Sequence, residues 1–284
     1  MKCLTLNLHS IIPVKGLDLS WEERLEILAD TICSRQYDIV ALQEINQSID
    51  SPMADRSELS LLHYVSLGES AVREDNAVLA LIRCLKAKGI NYYFSYSISH
   101  IGYARFEEGT AILSQYPPKS AVTLISSRDR ERNNWTYRCQ TGLIVRCGGT
   151  SYAFLSVHFG WWTADNGLEG FKEQWDRTLD RLKDLETEQV IMLGDFNGDP
   201  DVPAETYDYV TNKSGYYDAC MIRGSRNKLV TAIGKIDGWD SDIYHQLDYI
   251  FSSKMLNTRH ISSIFDNKNE KQISDHYGIE WESG

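Results

Sequence analysis

The sequence predicts layered α/β structure, in which β-sheets are covered by helices. Three observations carry this expectation. Many short apolar runs of strand length follow one another along the chain, three amphipathic helical stretches are set between them, and no stretch reads as a linker. The polar residues of greatest chemical interest stand where those apolar runs end, so they can converge on one rim above a rigid floor.

Taken in order, Leu4 to Leu8 reads as a first strand. Ser20-Trp21-Glu22-Glu23 has the capping-box pattern, and Leu25, Leu28, Ala29 and Ile32 follow at helical spacing. Asp38 to Leu42 is a short apolar strand, and Ala71 to Lys88 a helix closed by Gly89. Strands are expected at Tyr92–Tyr96, Thr110–Ser114, Ala121–Ile125, Gln140–Val145 and Tyr152–Val157. Leu168 to Leu185 is a further amphipathic helix, followed by a strand at Val190–Leu193. The last strands are expected near Leu247–Phe251, His260–Ile264 and Tyr277–Trp281.

A chain of 284 residues fits one large domain or two small ones, and without a linker or repeat a single domain over 1–284 is expected. Forty acidic against 29 basic residues give a net charge of −11. The densest basic stretch, Arg128-Asp129-Arg130-Glu131-Arg132, alternates its signs, as a solvated face does. A long polyanion is held by clustered Lys and Arg, so nucleic acid is a disfavoured partner and a small charged substrate a better one. The opening residues lack the apolar core of a signal peptide, no run reaches the length of a membrane span, and the six cysteines form no CxxC pair. The expectation is a cytoplasmic protein with reduced cysteines and no membrane partner.

The most informative segment is Gly194-Asp195-Phe196-Asn197-Gly198-Asp199-Pro200. Asp195 and Asn197, two apart, project to one side of extended backbone and offer a carboxylate to take a proton from water and an amide to donate to a phosphoryl oxygen. A plain turn uses the same residue types. Glu44, after Ile39-Val40-Ala41-Leu42, is a hard oxygen ligand of the kind magnesium favours, or a solvated residue opening a loop. Asp275 and His276 precede a strand, where the Asp can ligate metal or hold the imidazole charged, and the His can stabilise phosphoryl charge. Asp248 lies in an apolar strand and needs a partner, either His276 or an arginine. His158, after Phe154-Leu155-Ser156-Val157, reads as a catalyst or as a satisfied core histidine, and its shared position at a strand end favours the first.

Leu6-Asn7, Leu42-Gln43-Glu44, Glu108-Gly109-Thr110-Ala111-Ile112-Leu113-Ser114, Gly194-Asp195-Phe196-Asn197, Leu247-Asp248-Tyr249 and Ser274-Asp275-His276 together resemble the endonuclease/exonuclease/phosphatase superfamily in order and spacing, over almost the whole chain. The resemblance implies a four-layer αββα sandwich, two packed mixed β-sheets flanked by helices, and a phosphoester hydrolase using Mg2+, with Mn2+ as a substitute. It makes Glu44 the main metal ligand, with Asn7 and Asp275 near the ion. Asp195 then activates the attacking water, Asn197 holds the phosphate, His158 and His276 neutralise phosphoryl oxygens, and Asp248 orients His276. It also implies that Glu108, or its neighbour Glu107, orients His158, and that Arg138 contacts phosphate. Some abasic-site endonucleases in the superfamily carry an acidic residue where this chain has His9. Imidazole is a poor magnesium ligand, so a second metal position is not expected there.

The opening Leu4-Thr5-Leu6-Asn7-Leu8-His9-Ser10, with Gln43-Glu44-Ile45-Asn46-Gln47 and His158-Phe159-Gly160-Trp161-Trp162, is similar to the bacterial maltose 6′-phosphate phosphatase group within that superfamily. Tryptophans lean the same way, because sugars present apolar faces that stack on aromatic rings. Trp161 and Trp162 cannot both face one core, so one is expected near the site, whereas Trp175 reads as core. Trp135 and Trp239 stand in polar, loop-like stretches. The expected substrate is a small phosphorylated sugar. The alternatives are a DNase I-like endonuclease or exonuclease acting on nucleic acid, and a binding module that has lost catalysis.

Overall fold

A computed structural model describes residues 1–66, 72–128, 131–163, 169–222, 224–233 and 244–284. Ala71, Asp129, Arg130, Leu168 and Trp239 lie outside the described residues.

Two six-stranded mixed sheets form the centre. The first contains β1 (Lys2–Asn7), β2 (Ile39–Ser48), β3 (Tyr93–Gly102), β4 (Phe106–Ser114), β11 (Thr258–Ile264) and β12 (Gly278–Ser283), in the order β11-β12-β1-β2-β4-β3. The second contains β5 (Pro118–Ile125), β6 (Cys139–Cys147), β7 (Thr150–His158), β8 (Gln189–Asp195), β9 (Tyr217–Asp218) and β10 (Asp248–Ser252), in the order β5-β6-β7-β8-β10-β9. The sheets repeat one plan. Each has a single parallel pair at its middle, β1 with β2 and β7 with β8, and antiparallel strands on both sides. A parallel pair requires a crossover, and helix α1 (Trp21–Arg35) and helix α4 (Phe171–Leu182) supply the two crossovers.

Strand alternation divides the side chains into three apolar layers. Cys3, Ile39, Ala41, Phe154, Ile191, Leu193, Ile250 and Ile279 fill the space between the sheets. Leu4, Leu6, Val40 and Leu42 face outward beneath α1 and α3 (Ala77–Ala87), which the short α2 (Arg56–Leu61) precedes, meeting Leu25, Leu28, Ile32, Leu79 and Ile82. Leu155, Val157, Val190, Met192 and Phe251 face the other way, against Phe171 and Trp175 of α4. The four-layer αββα sandwich is the observed architecture, and Trp175 is core. All six cysteines are free. Among the described residues no helix is long and apolar enough to cross a membrane.

Local signals act where the chemistry requires them. Ser20 caps α1, its side chain accepting from Glu23 N while Glu23 reaches back to Ser20 N. The helix expected from Ala71 starts later. Arg73 bridges to Met53, and the Asn76 side chain accepts from Val78 N and Leu79 N, which sets the first turn at Ala77. Gly89 follows that helix with φ +81°, as its C-terminal position requires. The helix expected over Leu168–Leu185 is likewise shorter, at Phe171–Leu182.

Candidate active site

Alternation brings the polar motifs together. Asn7 continues the inward row Cys3-Thr5, His158 the row Phe154-Ser156, Asp195 the row Ile191-Leu193, and Asp248 starts the row that Ile250 continues. Asn7, His158 and Asp195 close β1, β7 and β8, so the carboxyl ends of the central parallel strands of both sheets meet at one place. Glu44 reaches the same place by an irregularity. The β2–β4 register shifts between Leu42 and Ile45, and Glu44 takes φ +50° there. Beneath the site a polar seam ties the sheets, with Gln43 Nε2 donating to Ser156 Oγ at 2.9 Å and Ser156 Oγ to Leu42 O at 2.8 Å. Gly194 allows the close approach: a Cβ there would stand 2.0 Å from Val157 O.

Asp195 is the hub. Its Oδ2 accepts from Asn7 Nδ2 at 3.1 Å and lies 3.7 Å from His158 Nε2 and 3.8 Å from His276 Nε2, while Oδ1 accepts from Asn197 N at 2.8 Å. Burial and the neighbouring Asp248 charge push its carboxyl up to about 7. His276 Nδ1 sits 2.8 Å from Asp248 Oδ2, so the partner expected for that buried carboxylate is the imidazole. Burial alone would lower the His276 pKa, but Asp248 overrides it and holds the ring well above its ordinary value. His158 goes the other way: burial, then the Arg138 charge, keep it neutral, well below the usual range. Two imidazoles therefore flank one carboxylate, and their surroundings push them in opposite directions, His276 toward its charged form and His158 toward its neutral one.

Glu44 accepts from Asn7 Nδ2 at 2.8 Å through one oxygen and lies 2.9 Å from His9 Nδ1 through the other. Asp275 is 3.9 Å from the same His9 nitrogen. Burial opposes the charge on His9, yet the Glu44 hydrogen bond and the two carboxylates push it up to about 9. The protein thus places a cation between Glu44 and Asp275, and these oxygen donors suit a hard divalent ion. Asp195, Asp248 and His276 form a second group, with ligand atoms all within 4.8 Å of one another. Its nitrogen donor makes that group less suited to magnesium than the carboxylate pair. Arg24, buried on α1, grips the backbone around both groups by donating to Leu8 O, His9 O, Ile12 O and Ile273 O.

His9, Glu44, His158, Asp195, Asp275 and His276 floor a cavity of about 970 Å3, lined also by Lys15, His100, Glu108, Trp135, Arg138 and Trp161. The carboxylate partner expected for His158 differs. Glu108 faces His100, whose Nε2 is 3.4 Å from Glu108 Oε1, because both project from the adjacent strands β3 and β4, whereas His158 turns to Asp195. Glu107 is bound by Arg73 and Gln47. Of the two adjacent tryptophans, Trp161 lines the cavity and Trp162 packs on Phe171 and Tyr209. Asn197 lines the cavity but gives a hydrogen bond to Phe159 O at 2.8 Å. His100 escaped the sequence reading because Ser95-Tyr96-Ser97-Ile98-Ser99 carries too few apolar residues to mark the strand's full length.

The model of the Endonuclease/Exonuclease/phosphatase family matches residues 4–276. Among solved structures, the chain is similar to an endonuclease/exonuclease/phosphatase family protein from Leptotrichia buccalis, at 28% identity and a TM-score of 0.83, covering 100% of this chain and 99% of that one. It is similar in fold to a mannosyl-6-phosphatase from Bacteroides thetaiotaomicron, at 15% identity and a TM-score of 0.65, covering 99% and 98% of the two chains. It is also similar in fold to TDP2 from Caenorhabditis elegans, at 20% identity and a TM-score of 0.58, covering 99% and 95%. No curated protein sequence matches the chain.

Proposed function

The chain belongs to the endonuclease/exonuclease/phosphatase family, and from that premise we propose that it is a metal-dependent phosphatase of a small phosphorylated sugar, with a disaccharide 6′-phosphate favoured. The observation that carries the hydrolytic part is the environment of Asp195 Oδ2, held by Asn7 at 3.1 Å between His158 and His276 at 3.7 and 3.8 Å. A carboxylate so oriented, with its pKa brought close to neutral, is suited to take a proton from water. The attacking oxygen then forms its bond to phosphorus as the bond to the sugar oxygen breaks, and that oxygen takes up a proton from solvent and leaves as the sugar hydroxyl.

His276, kept cationic by Asp248, donates to the phosphoryl oxygens as their charge grows, and neutral His158 offers its Nε2 on the other side. Asn197 completes the phosphate contacts. Glu44 and Asp275 would hold the divalent ion, with Asn7 orienting Glu44, and the ion supplies Lewis-acid stabilisation of phosphoryl charge.

Substrate size is argued from the walls. Among the described residues that line the cavity, Lys15 and Arg138 alone carry fixed positive charge, on a chain of net charge −11. A polyanion meets repulsion with each phosphate outside the site, whereas one phosphoryl group needs only the catalytic cluster. Trp135 and Trp161 supply aromatic faces for the remaining sugar. The likeness to a mannosyl-6-phosphatase supports the same substrate class. Side-by-side kcat/KM values in one magnesium buffer test the reading. Faster phosphate release from a disaccharide 6′-phosphate than nicking of plasmid DNA is expected. Efficient nicking, with no phosphate released from any sugar phosphate, would replace it with a nuclease.

A further inference from the structure

One wall of the cavity has no part in the hydrolytic step. It is built from His100 at the end of β3, Glu108 of β4, Arg138 before β6, and the rings of Trp135 and Trp161. Three buried polar side chains form a line there: Arg138 NH1 is 3.0 Å from His100 Nδ1, and His100 Nε2 is 3.4 Å from Glu108 Oε1. A guanidinium only donates, so His100 Nδ1 accepts and the ring proton sits on Nε2, facing Glu108. His100 thereby holds a guanidinium and a carboxyl group apart. Arg138 NH1 also donates to Trp135 O at 3.1 Å, which fixes the segment carrying that ring.

Among the described residues, two donors on this wall are buried and have no hydrogen-bond partner, Arg138 Nε and Trp161 Nε1. Native proteins rarely leave such groups unmatched, and their presence beside a cavity points to a ligand rich in oxygen. The Trp135 and Trp161 ring centroids are 5.2 Å apart at an angle of 55°, and Trp135 is 44% exposed. Aromatic faces next to a donor and an acceptor match a pyranose, which has apolar C–H faces and a rim of hydroxyls.

We propose that this wall is the subsite for the leaving group and selects a polyhydroxylated ring. Trp135 and Trp161 stack on its face, Arg138 donates to its hydroxyls, Glu108 accepts from them, and His100 positions the two. This assignment rests on the phosphatase reading above. It also gives Glu108 a role toward the leaving group rather than toward His158.

The test compares two phosphomonoesters that differ only in hydroxyls, glucose 6-phosphate and (tetrahydropyran-2-yl)methyl phosphate, together with a nucleoside 5′-monophosphate. Wild-type protein should favour the sugar over its hydroxyl-free analogue by roughly 10²-fold in kcat/KM, because a site built for hydroxyls discriminates strongly against their absence. His100→Asn should shrink that ratio by about tenfold or more, whereas Trp135→Ala should raise KM for both ring monoesters by about tenfold, and Trp135→Phe should recover most of that loss. Trp135 is exposed, so its replacement reads the subsite even if the His100 variant fails to fold. An unchanged KM for both ring monoesters in Trp135→Ala, or a nucleotide preferred over the sugar, would overturn the subsite while leaving phosphatase action intact. Absence of phosphate release from every monoester would overturn both.

Discussion

Asn7 and Asp195 belong to different sheets, and the Asn7 amide donates to Asp195 Oδ2 across 3.1 Å. The same amide nitrogen donates to Glu44 at 2.8 Å. One side chain therefore sets the distance between the proposed base and the proposed metal ligand, and that distance depends on how the two sheets pack.

If Asp195 takes the proton from water, Asp195→Asn keeps the shape and removes the base. The expected loss in kcat is roughly 10²–10⁴-fold. The base works only when ionised, so the wild-type rate should fall as pH drops through the raised pKa of about 7. The variant's residual rate should lack that acid limb. A variant within about threefold of wild type, well under the general-base range, would reduce Asp195 to a turn residue.

Chelation with EDTA should abolish hydrolysis and magnesium should restore it, with manganese as a substitute. Glu44→Gln removes the charge that anchors the ion, and the magnesium needed for half-maximal rate should rise by about tenfold or more. Full activity after exhaustive chelation would refute the metal assignment.

Arg24→Met is expected to act without touching substrate. The guanidinium holds four backbone carbonyls, at Leu8, His9, Ile12 and Ile273. Their loss should lower stability by on the order of 3 kcal/mol in urea unfolding, and kcat should fall as the loops carrying His9 and Asp275 lose register. Unchanged stability would mean that water replaces the guanidinium.

Glu280 gives a pH signature away from the site. Burial tends to raise its pKa, but Tyr37 OH at 2.8 Å, Lys2 Nζ at 3.3 Å and Arg35 NH1 at 3.1 Å hold it below the ordinary value. A depressed carboxyl stabilises the fold above its unfolded pKa, and that contribution is lost as pH falls through the folded pKa. Glu280→Gln should therefore cost about 2 kcal/mol at neutral pH, and the gap to wild type should close in acid. A gap independent of pH would show that shape, rather than charge, is at work.

Much of this was legible in the residues. Period-two alternation in Phe154-Leu155-Ser156-Val157-His158 and in Ile191-Met192-Leu193-Gly194-Asp195 already puts the polar ends on the face of the intervening core. The capping box at Ser20 named the start of α1. Asp248 needed a partner on burial grounds alone, and His276 supplies it. What failed to show was information held between strands. Glu108 meets His100 through the register of β3 on β4, which no local pattern reports. The Trp135–Trp161 pair joins residues far apart in the chain. The apolar spacing runs on ahead of Asn76, so it does not mark that residue as the cap.

The placement of β1 has a kinetic consequence. It lies between β2, which follows after one helix, and β12, whose Glu282 pairs with Lys2 at the opposite end of the chain. Until β12 arrives, Cys3, Leu4 and Leu6 sit on an open sheet edge, a template for wrong pairings. The second sheet has no such debt to distant sequence in its central β7–α4–β8 unit. Refolding should therefore show an early phase that orders β7 and β8 and a slower one, set by long-range closure, in which β1 gains amide-exchange protection together with β12.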